Sequence, residues 1–187
     1  DIGSFNWDIR SWRQLLKIAP VIQLCRQYNP KRILDVGCGA GDVWKALQAN
    51  NCVPEIFCGI DISAMSKKTA IGSVTNLPIR GKSIDFLACL DVIQNVRHEQ
   101  RLKLLGEIDR VLDYNGIVYF IFRSSMIDSD AENRGHNLGG YNPGDLMRFF
   151  DYDNLAIFGI NSVDTSSEWP GFLPFEFNRI FYSLDLE

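Results

Sequence analysis

A short apolar run that ends in three alternating glycines constrains this 187-residue chain more than any other feature. Residues 33–42 have the sequence ILDVGCGAGD. This order predicts a buried strand, a tight turn and a helix that begins at Asp42. Glycines in the turn allow positive φ and let a ligand approach the backbone without meeting a Cβ atom. The segment therefore predicts a ligand site at the carboxyl end of a parallel strand.

Apolar runs alternate with helical patterns on both sides of this turn. Strands are predicted over residues 32–36, 56–60, 84–90, 117–122, 155–160 and 177–184, with a further strand near 70–74. Helices are predicted over residues 8–28, 42–50 and 96–112. We expect Asn115-Gly116 to end the last of these helices. Its core face is predicted to comprise Leu102, Leu105, Ile108 and Leu112.

Strands that alternate with helices in this rhythm build βαβ units with right-handed crossovers. The predicted fold class is α/β: a doubly wound, Rossmann-like, seven-stranded sheet that is mostly parallel and has an antiparallel last strand. Length and ordinary globular composition predict one domain over residues 1–187. Within it, residues 1–30 are expected to form a helical cap, 31–123 the core, and 124–187 loops and the final strands.

A carboxylate follows the second predicted strand, where Asp61 could accept hydrogen bonds from both hydroxyls of a ribose. A nicotinamide dehydrogenase would use the same geometry, but its usual spacing is G-x-G-x-x-G and the spacing here is G-x-G-x-G. Asp35 precedes the first glycine, and Asp42 stands at a helix N-terminus that a pyrophosphate would require free of negative charge. These carboxylates favour a cationic ligand.

Several motifs in order resemble the class I S-adenosylmethionine (SAM)-dependent methyltransferases. Residues 33–42 resemble the first motif of that family, and residues 59–63 (GIDIS) resemble its acidic motif after the second strand. Four further motifs resemble its small-molecule branch, which the ubiquinone- and menaquinone-biosynthesis enzymes typify. These motifs are residues 77–79 (LPI), 83–86 (SIDF), 90–93 (LDVI) and 105–112 (LGEIDRVL). The resemblance covers residues 31–123.

The resemblance implies an enzyme that transfers a methyl group and uses SAM as its cofactor. Asp35, Gly37 and Gly39 would line the methionine end of SAM, Asp61 would bind the ribose, and Asp91 would border the sulfonium. The full set implied to contact the cofactor is Asp35, Gly37, Cys38, Gly39, Asp61, Ile62, Ser73, Val74 and Asp91. For Asp91, a cap on the next helix is the alternative interpretation.

Three features depart from the family pattern. Ser73 stands where an aspartate usually contacts the adenine amino group, so Ser73-Val74 must serve through a hydroxyl or the backbone. Gln94-Asn95 replace a frequent Glu-His pair, and the segment between Asp61 and Leu77 is short. These departures motivate an alternative hypothesis, a degenerate methyltransferase fold that acts as a binding or regulatory partner.

The acceptor side is predicted from poorly patterned segments. The loop over residues 124–142 leaves the carboxyl edge of the sheet and contains His136 and Tyr141. His136 is a candidate base, with a solvated loop histidine as the alternative, and Tyr141 is a candidate acceptor contact. A small-molecule acceptor is the first hypothesis, and a protein acceptor remains open.

Composition excludes several other classes. A net charge of −4 argues against nucleic acid as the main partner. Two histidines and five cysteines without a C-x-x-C pair argue against a metal site and favour reduced thiols. No apolar run approaches the roughly 18 residues that span a membrane, and no signal peptide is recognisable. A cytoplasmic location is therefore expected.

Overall fold

A parallel sheet forms the centre of the computed structural model, which describes residues 12–63, 68–121 and 182–183. Its five parallel strands, in chain order, are β1 (Arg32–Val36), β2 (Ile56–Asp61), β3 (Thr69–Ile71), β4 (Ile84–Leu90) and β5 (Leu112–Ile121). A two-residue strand, β6 (Tyr182–Ser183), pairs antiparallel with β5. The helices are α1 (Trp12–Tyr28), α2 (Asp42–Ala49) and α3 (His98–Val111).

The strand order across the sheet is β3-β2-β1-β4-β5-β6. The chain therefore builds outward from β1 in one direction and then returns to build outward through β4 in the other. A crevice opens at such a reversal, at the carboxyl ends of β1 and β4. The predicted Rossmann-like, mostly parallel α/β sheet is confirmed. The seven-strand count and an antiparallel last strand stay predictions, because residues 122–181 and 184–187 lie outside the described residues.

Both faces of the sheet are covered, which explains why its strands read as continuous apolar runs. In β4, Leu87 and Cys89 point to one face and pack in the core that α3 completes. Phe86 and Ala88 point to the opposite face and pack with the buried side chains of α1 and α2. The alternation along one strand thus separates two cores.

The core face of α3 differs from the prediction at Leu102, which is 63% exposed. The buried stripe instead comprises Arg101, Leu104, Leu105, Ile108 and Val111. Arg101 is buried because its Nε donates to the Val96 carbonyl at 3.1 Å and its stem lies on the core side. Periodicity alone did not distinguish this stripe from one shifted by a residue.

The end of α3 also differs from the prediction. The helix stops at Val111, and Asn115-Gly116 lie within β5, so they do not end the helix. β5 begins irregularly, since its pairing with β4 jumps from Ile84↔Leu112 to Phe86↔Ile117. A Cβ on Gly116 would lie 2.6 Å from Leu112 Cγ, so glycine serves close packing within this bulge.

The third strand is shorter than predicted and ends at Ile71, not near residue 74. The chain turns at Ser73, whose Oγ accepts a hydrogen bond from the Thr75 backbone N–H at 3.2 Å. Ser73 and Asn76 form an isolated antiparallel bridge across this turn. A serine side chain that bonds its own backbone competes with strand pairing, which explains the early end.

All five cysteines are free, as the absence of paired spacing indicated. Cys25, Cys38 and Cys89 are buried, and Cys52 and Cys58 are partly buried. Burial raises the pKa of Cys25 to about 12, so this thiol stays protonated at neutral pH. In the part of the chain that the structure describes, no helix has the length and apolar character needed to cross a bilayer.

A network of ion pairs links β1, β4 and β5 at the amino-terminal edge of the sheet. Arg32 Nη2 contacts Asp85 Oδ1 and donates to Asp113 Oδ2 at 2.8 Å. Asp85 Oδ2 also accepts the Arg32 backbone N–H at 2.8 Å. Partial burial raises the pKa of Asp85, but the hydrogen bonds from Arg32 outweigh that effect and hold it below its ordinary value.

We expect Asp85→Asn to lower the free energy of unfolding at pH 7 by about 1 kcal/mol, the scale of a partly exposed charged pair. Because the folded pKa of Asp85 is depressed, its contribution is present above the unfolded pKa near 4 and disappears as pH falls through the folded value. Urea unfolding at pH 7 and pH 3 measures this. If the free energies of unfolding of Asp85→Asn and the wild type differ by the same amount at both pH values, the lowered pKa of Asp85 is contradicted.

Candidate functional site

The turn after β1 is built from glycines in the left-handed region. Gly37, Gly39 and Gly41 have φ of 69°, 45° and 76°. The N–H groups of Gly37 and Cys38 both donate to the Ile60 carbonyl, at 2.7 and 3.2 Å, which fastens the turn to β2. A Cβ on Gly37 would lie 2.3 Å from Val92 Cγ2, whereas one on Gly39 would meet no atom of the described residues within 4 Å. The turn is therefore packed at Gly37 and open at Gly39.

Asp61 links the carboxyl end of β2 to this turn. Its Oδ2 accepts the Gly39 backbone N–H at 2.9 Å, and its Oδ1 accepts the Ser63 N–H and Oγ–H, each at 3.1 Å. Partial burial raises the pKa of Asp61, but these hydrogen bonds outweigh burial and leave the pKa below its ordinary value. Asp61 is thus an ionised, oriented carboxylate at the open part of the turn.

Asp35 lies beneath the turn near the carboxyl end of β1 and is only 2% exposed. Its Oδ2 has no hydrogen-bond partner among the described residues. Burial, reinforced by the nearby charges of Asp42 and Asp61, raises the pKa of Asp35 to about 8. A buried carboxyl without a partner is costly, and a cation brought to it would remove that cost.

Cys38 lies in the turn, but its side chain points into the sheet. Its Sγ is 3.3 Å from Thr69 Oγ1, and a Cβ on Gly59 would lie 2.7 Å from that sulfur. Cys38 therefore packs between β2 and β3, and its backbone is the part that belongs to the turn.

Ile62, Ser73 and Val74 follow the carboxyl ends of β2 and β3. Ile62 is 81% exposed, so its apolar side chain is open to contact with a ligand. Ser73 Oγ lies 2.9 Å from Thr75 Oγ1 within the turn after β3, and Val74 packs against the core on the α3 side. The structure thus brings these three residues to the same edge as Asp61.

Asp91 lies directly after β4 and is non-glycine with a φ of 59°. Its N–H donates to the Ile121 carbonyl at 2.8 Å, and its carbonyl accepts from Asn95 Nδ2 at 2.7 Å. Its carboxylate accepts from Gln94 Nε2 at 3.2 Å and forms an ion pair with Lys17. Neither the short turn Ile93–Asn95 nor α3 has a side-chain cap, so the interpretation of Asp91 as a helix cap is wrong.

The structure places two groups near the site that were not predicted from the sequence. One is Lys17, whose link to Asp91 spans 74 residues and leaves no local signal. The other is the pair Glu107 and Arg110. Arg110 donates to the carbonyls of Leu77 and Ile79 at 3.0 and 2.8 Å, and Glu107 Oε2 accepts the Leu77 N–H at 2.6 Å. The E-x-x-R spacing within α3 is the sequence signal that could have indicated these contacts of Glu107 and Arg110 with residues 77–79.

The acceptor-side candidates His136 and Tyr141 lie outside the described residues, and their roles stay predictions. His98 is exposed at the start of α3. The described part of the site is thus the cofactor side: the glycine turn and the carboxylates Asp35, Asp61 and Asp91.

Comparison with known proteins gives a family match over the central part of the chain. Residues 34–120 match the family described as a methyltransferase domain, and this range includes the turn, β2 to β4 and most of β5. No curated protein sequence matches the chain with statistical significance.

Solved structures share the fold at low sequence identity. A SAM-dependent methyltransferase from Archaeoglobus fulgidus is 15% identical, with a TM-score of 0.58 over 82% of this chain and 80% of that one. The YcgJ protein from Bacillus subtilis is 19% identical, with a TM-score of 0.62 over 78% and 70%. The Haloferax volcanii protein solved with the Trm112 methyltransferase activator is 17% identical, with a TM-score of 0.56 over 80% and 73%. The chain therefore has the fold of SAM-dependent methyltransferases, its residues 34–120 match a methyltransferase-domain family, and both findings support SAM as its cofactor.

Proposed function

We propose that this chain is a SAM-dependent methyltransferase that transfers the methyl group of SAM to a small-molecule acceptor, as the resemblance to the ubiquinone and menaquinone branch implies. The cofactor lies across the glycine turn. Asp35, Gly37, Gly39 and the backbone of Cys38 contact its methionine end. Five free thiols suit the reducing cytoplasm, where we place the protein.

The buried carboxyl of Asp35 is the observation that carries this proposal. Its Oδ2 lacks a partner among the described residues, and Asp42 and Asp61 add negative charge around it. A pyrophosphate placed at this turn would face the Asp42 carboxylate at the start of α2, which opposes a dinucleotide. SAM carries an ammonium, a sulfonium and one carboxylate, which gives a net positive charge, so its ammonium suits the carboxylates that the site already holds.

The opposite end of the site suits a nucleoside. Asp61 is ionised, and Gly39 and Ser63 occupy three of its roughly four lone pairs, so one ribose hydroxyl would use the free lone pair of Oδ2 and the second would displace a Ser63 hydrogen bond from Oδ1. The exposed side chain of Ile62 would pack against the adenine, which would remove its apolar surface from water. Ser73 and Val74 would meet the adenine edge, with the Ser73 hydroxyl or a backbone group in place of the usual carboxylate.

When bound, SAM supplies a methyl group on an activated sulfonium. The chain has to align the acceptor with that methyl at roughly 3 to 3.5 Å and keep water away. Asp91 borders the sulfonium at the end of β4. A base is required only for a hydroxyl or a protonated amine, and His136 is the proposed base, with Tyr141 as a proposed acceptor contact.

Calorimetric titration with SAM, S-adenosylhomocysteine and NAD tests the proposal. We expect both sulfur ligands to bind and NAD to show no heat of binding. Binding of NAD alone would overturn the proposal in favour of a dehydrogenase. Binding of SAM without turnover on small-molecule or protein acceptors would favour the alternative, a degenerate fold that acts as a binding or regulatory partner.

Asp61→Ala is expected to weaken SAM binding by about 1–3 kcal/mol, because ribose hydroxyls would lose their acceptor and the Gly39 N–H its partner. Asp109→Ala is the matched control, since Asp109 is exposed on α3 and should leave affinity unchanged. Calorimetry measures both. An Asp61→Ala protein that is folded and binds SAM like the wild type would refute the ribose assignment.

A further inference from the structure

α1 runs antiparallel to the parallel strands and presents a charged side chain at each edge of the sheet. At the carboxyl edge, Lys17 forms an ion pair with Asp91. Toward the amino edge, Arg26 Nη2 donates to Asn50 Oδ1 at 3.3 Å, just after α2. Buried side chains of α1 between these two points, including Val21 and Ile22, pack into the core shared with α2. The packing of α1 therefore places the backbone of Lys17 at the carboxyl edge of the sheet.

The carboxylate that Lys17 contacts is held in one orientation. Gln94 Nε2 donates to Asp91 Oδ1, while Lys17 contacts Asp91 Oδ2, so each oxygen has its own partner. The backbone of Asp91 is fastened to Ile121 and Asn95. The next residue, Val92, lies against Gly37 of the turn. Lys17 thus places a positive charge within the cofactor side of the site.

We propose that Lys17 sets the cofactor specificity of this site by neutralising Asp91, so that the site does not strongly prefer the sulfonium substrate to its neutral thioether product. This inference rests on the proposed function, in which Asp91 borders the sulfur. A lone carboxylate there attracts the sulfonium of SAM and offers nothing comparable to S-adenosylhomocysteine. With the Lys17 ammonium alongside, the two charges largely cancel at the sulfur.

The other carboxylates do not provide this discrimination. Asp35 faces the amino-acid end and Asp61 the ribose, and both parts are identical in substrate and product. The two ligands differ only at the sulfur, where SAM carries one methyl group and one positive charge more; the contribution of the methyl group is common to the wild type and the Lys17 variants. The ratio of the S-adenosylhomocysteine Kd to the SAM Kd, here called the sulfonium preference, therefore reports on the charge beside Asp91.

Lys17→Met is expected to raise the sulfonium preference about fivefold, the size expected when a half-exposed charge is removed. Lys17→Arg should stay within about twofold of the wild type, because it keeps the charge. Lys31→Met is the matched control, since Lys31 pairs with Glu55 at the opposite edge of the sheet. A purely structural role for Lys17 would weaken both ligands equally and leave the preference unchanged. Lys17→Gln supplies a second neutral variant.

A double-mutant cycle with Asp91→Asn completes the test. That single change leaves Lys17 unopposed and should lower the sulfonium preference, whereas Lys17→Met with Asp91→Asn should return it to within about twofold of the wild type. A folded Lys17→Met protein that binds both ligands with an unchanged preference would overturn this inference alone. Failure of the wild type to bind either ligand would overturn the proposed function, and this inference with it.

Discussion

Asp35→Asn is expected to weaken SAM binding by about 3 kcal/mol, roughly 100-fold, while making the ligand-free protein more stable above neutral pH. The substitution keeps the shape of the side chain and removes its charge. The ammonium of SAM then loses the buried carboxylate that we propose as its partner. A loss of affinity combined with a gain of stability separates a ligand-binding role from a purely structural role for Asp35.

The gain in stability follows from the raised pKa of Asp35, about 8 in the folded protein. In the unfolded chain the group titrates near 4. Between these two values the folded state holds a proton that the unfolded state has lost, so wild-type stability falls as pH rises through this window. Asp35→Asn lacks this titration. Its advantage over the wild type should therefore be small near pH 4 and reach its maximum above pH 8.

The same raised pKa predicts a pH dependence of cofactor affinity. SAM pairs with the ionised carboxylate, so its binding releases the proton of Asp35 below pH 8, and affinity should rise with pH up to about that value. In Asp35→Asn this dependence should be absent. Calorimetry in buffers of different ionisation enthalpy measures the released proton directly.

Asp85→Asn is the natural comparison, because the same chemical change removes a carboxylate whose pKa is lowered by its partner Arg32. At pH 8 Asp85→Asn should be less stable than the wild type, whereas Asp35→Asn should be more stable. Urea unfolding of both variants from pH 4 to 9 reveals the opposite signs. Parallel behaviour of the two variants would contradict the view that Asp35 is a buried acid whose Oδ2 lacks a partner among the described residues.

Much of the cofactor side could be predicted from the sequence, because it depends on local patterns. The bounds of β1 and β4 agree with the prediction, since both strands are buried on two faces and end in a turn or a charged residue. Parallel strands bring their carboxyl ends to one edge, so the residues that follow them, such as Asp61 and Asp91, were expected together there.

The remaining features depend on contacts between distant residues. Lys17 and Asp91 meet because α1 packs across the sheet, and nothing near either residue signals that pairing. Leu102 was predicted on the core face because leucine at helical spacing ordinarily is buried. In the structure Leu102 is exposed and Arg101 is buried, with its Nε donating to the Val96 carbonyl. The orientation of a helix around its axis is decided by its neighbours, which periodicity cannot supply for short helices.

The two glycines of the turn should respond to alanine in different ways. Gly37→Ala is expected to lower the free energy of unfolding by about 3 kcal/mol, from a left-handed φ and from overpacking. A Cβ there would lie 2.3 Å from Val92 Cγ2. Thermal unfolding measures this as a fall in Tm of about 6–12 °C. Adding Val92→Ala should recover part of the loss, whereas a Gly37→Ala protein as stable as the wild type would contradict the packing of the turn on Val92.

Gly39→Ala tests how much the open space above the turn contributes to SAM affinity. Its φ of 45° costs an alanine about 1 kcal/mol, so the protein should fold and lose little stability. The added methyl group would project where no atom of the described residues lies within 4 Å, which is where we propose that SAM crosses the backbone. SAM affinity should therefore fall on the order of tenfold or more, since the site loses a close backbone approach. If Gly39→Ala binds SAM as tightly as the wild type does, the cofactor does not lie over this part of the turn, and the open backbone at Gly39 has another cause.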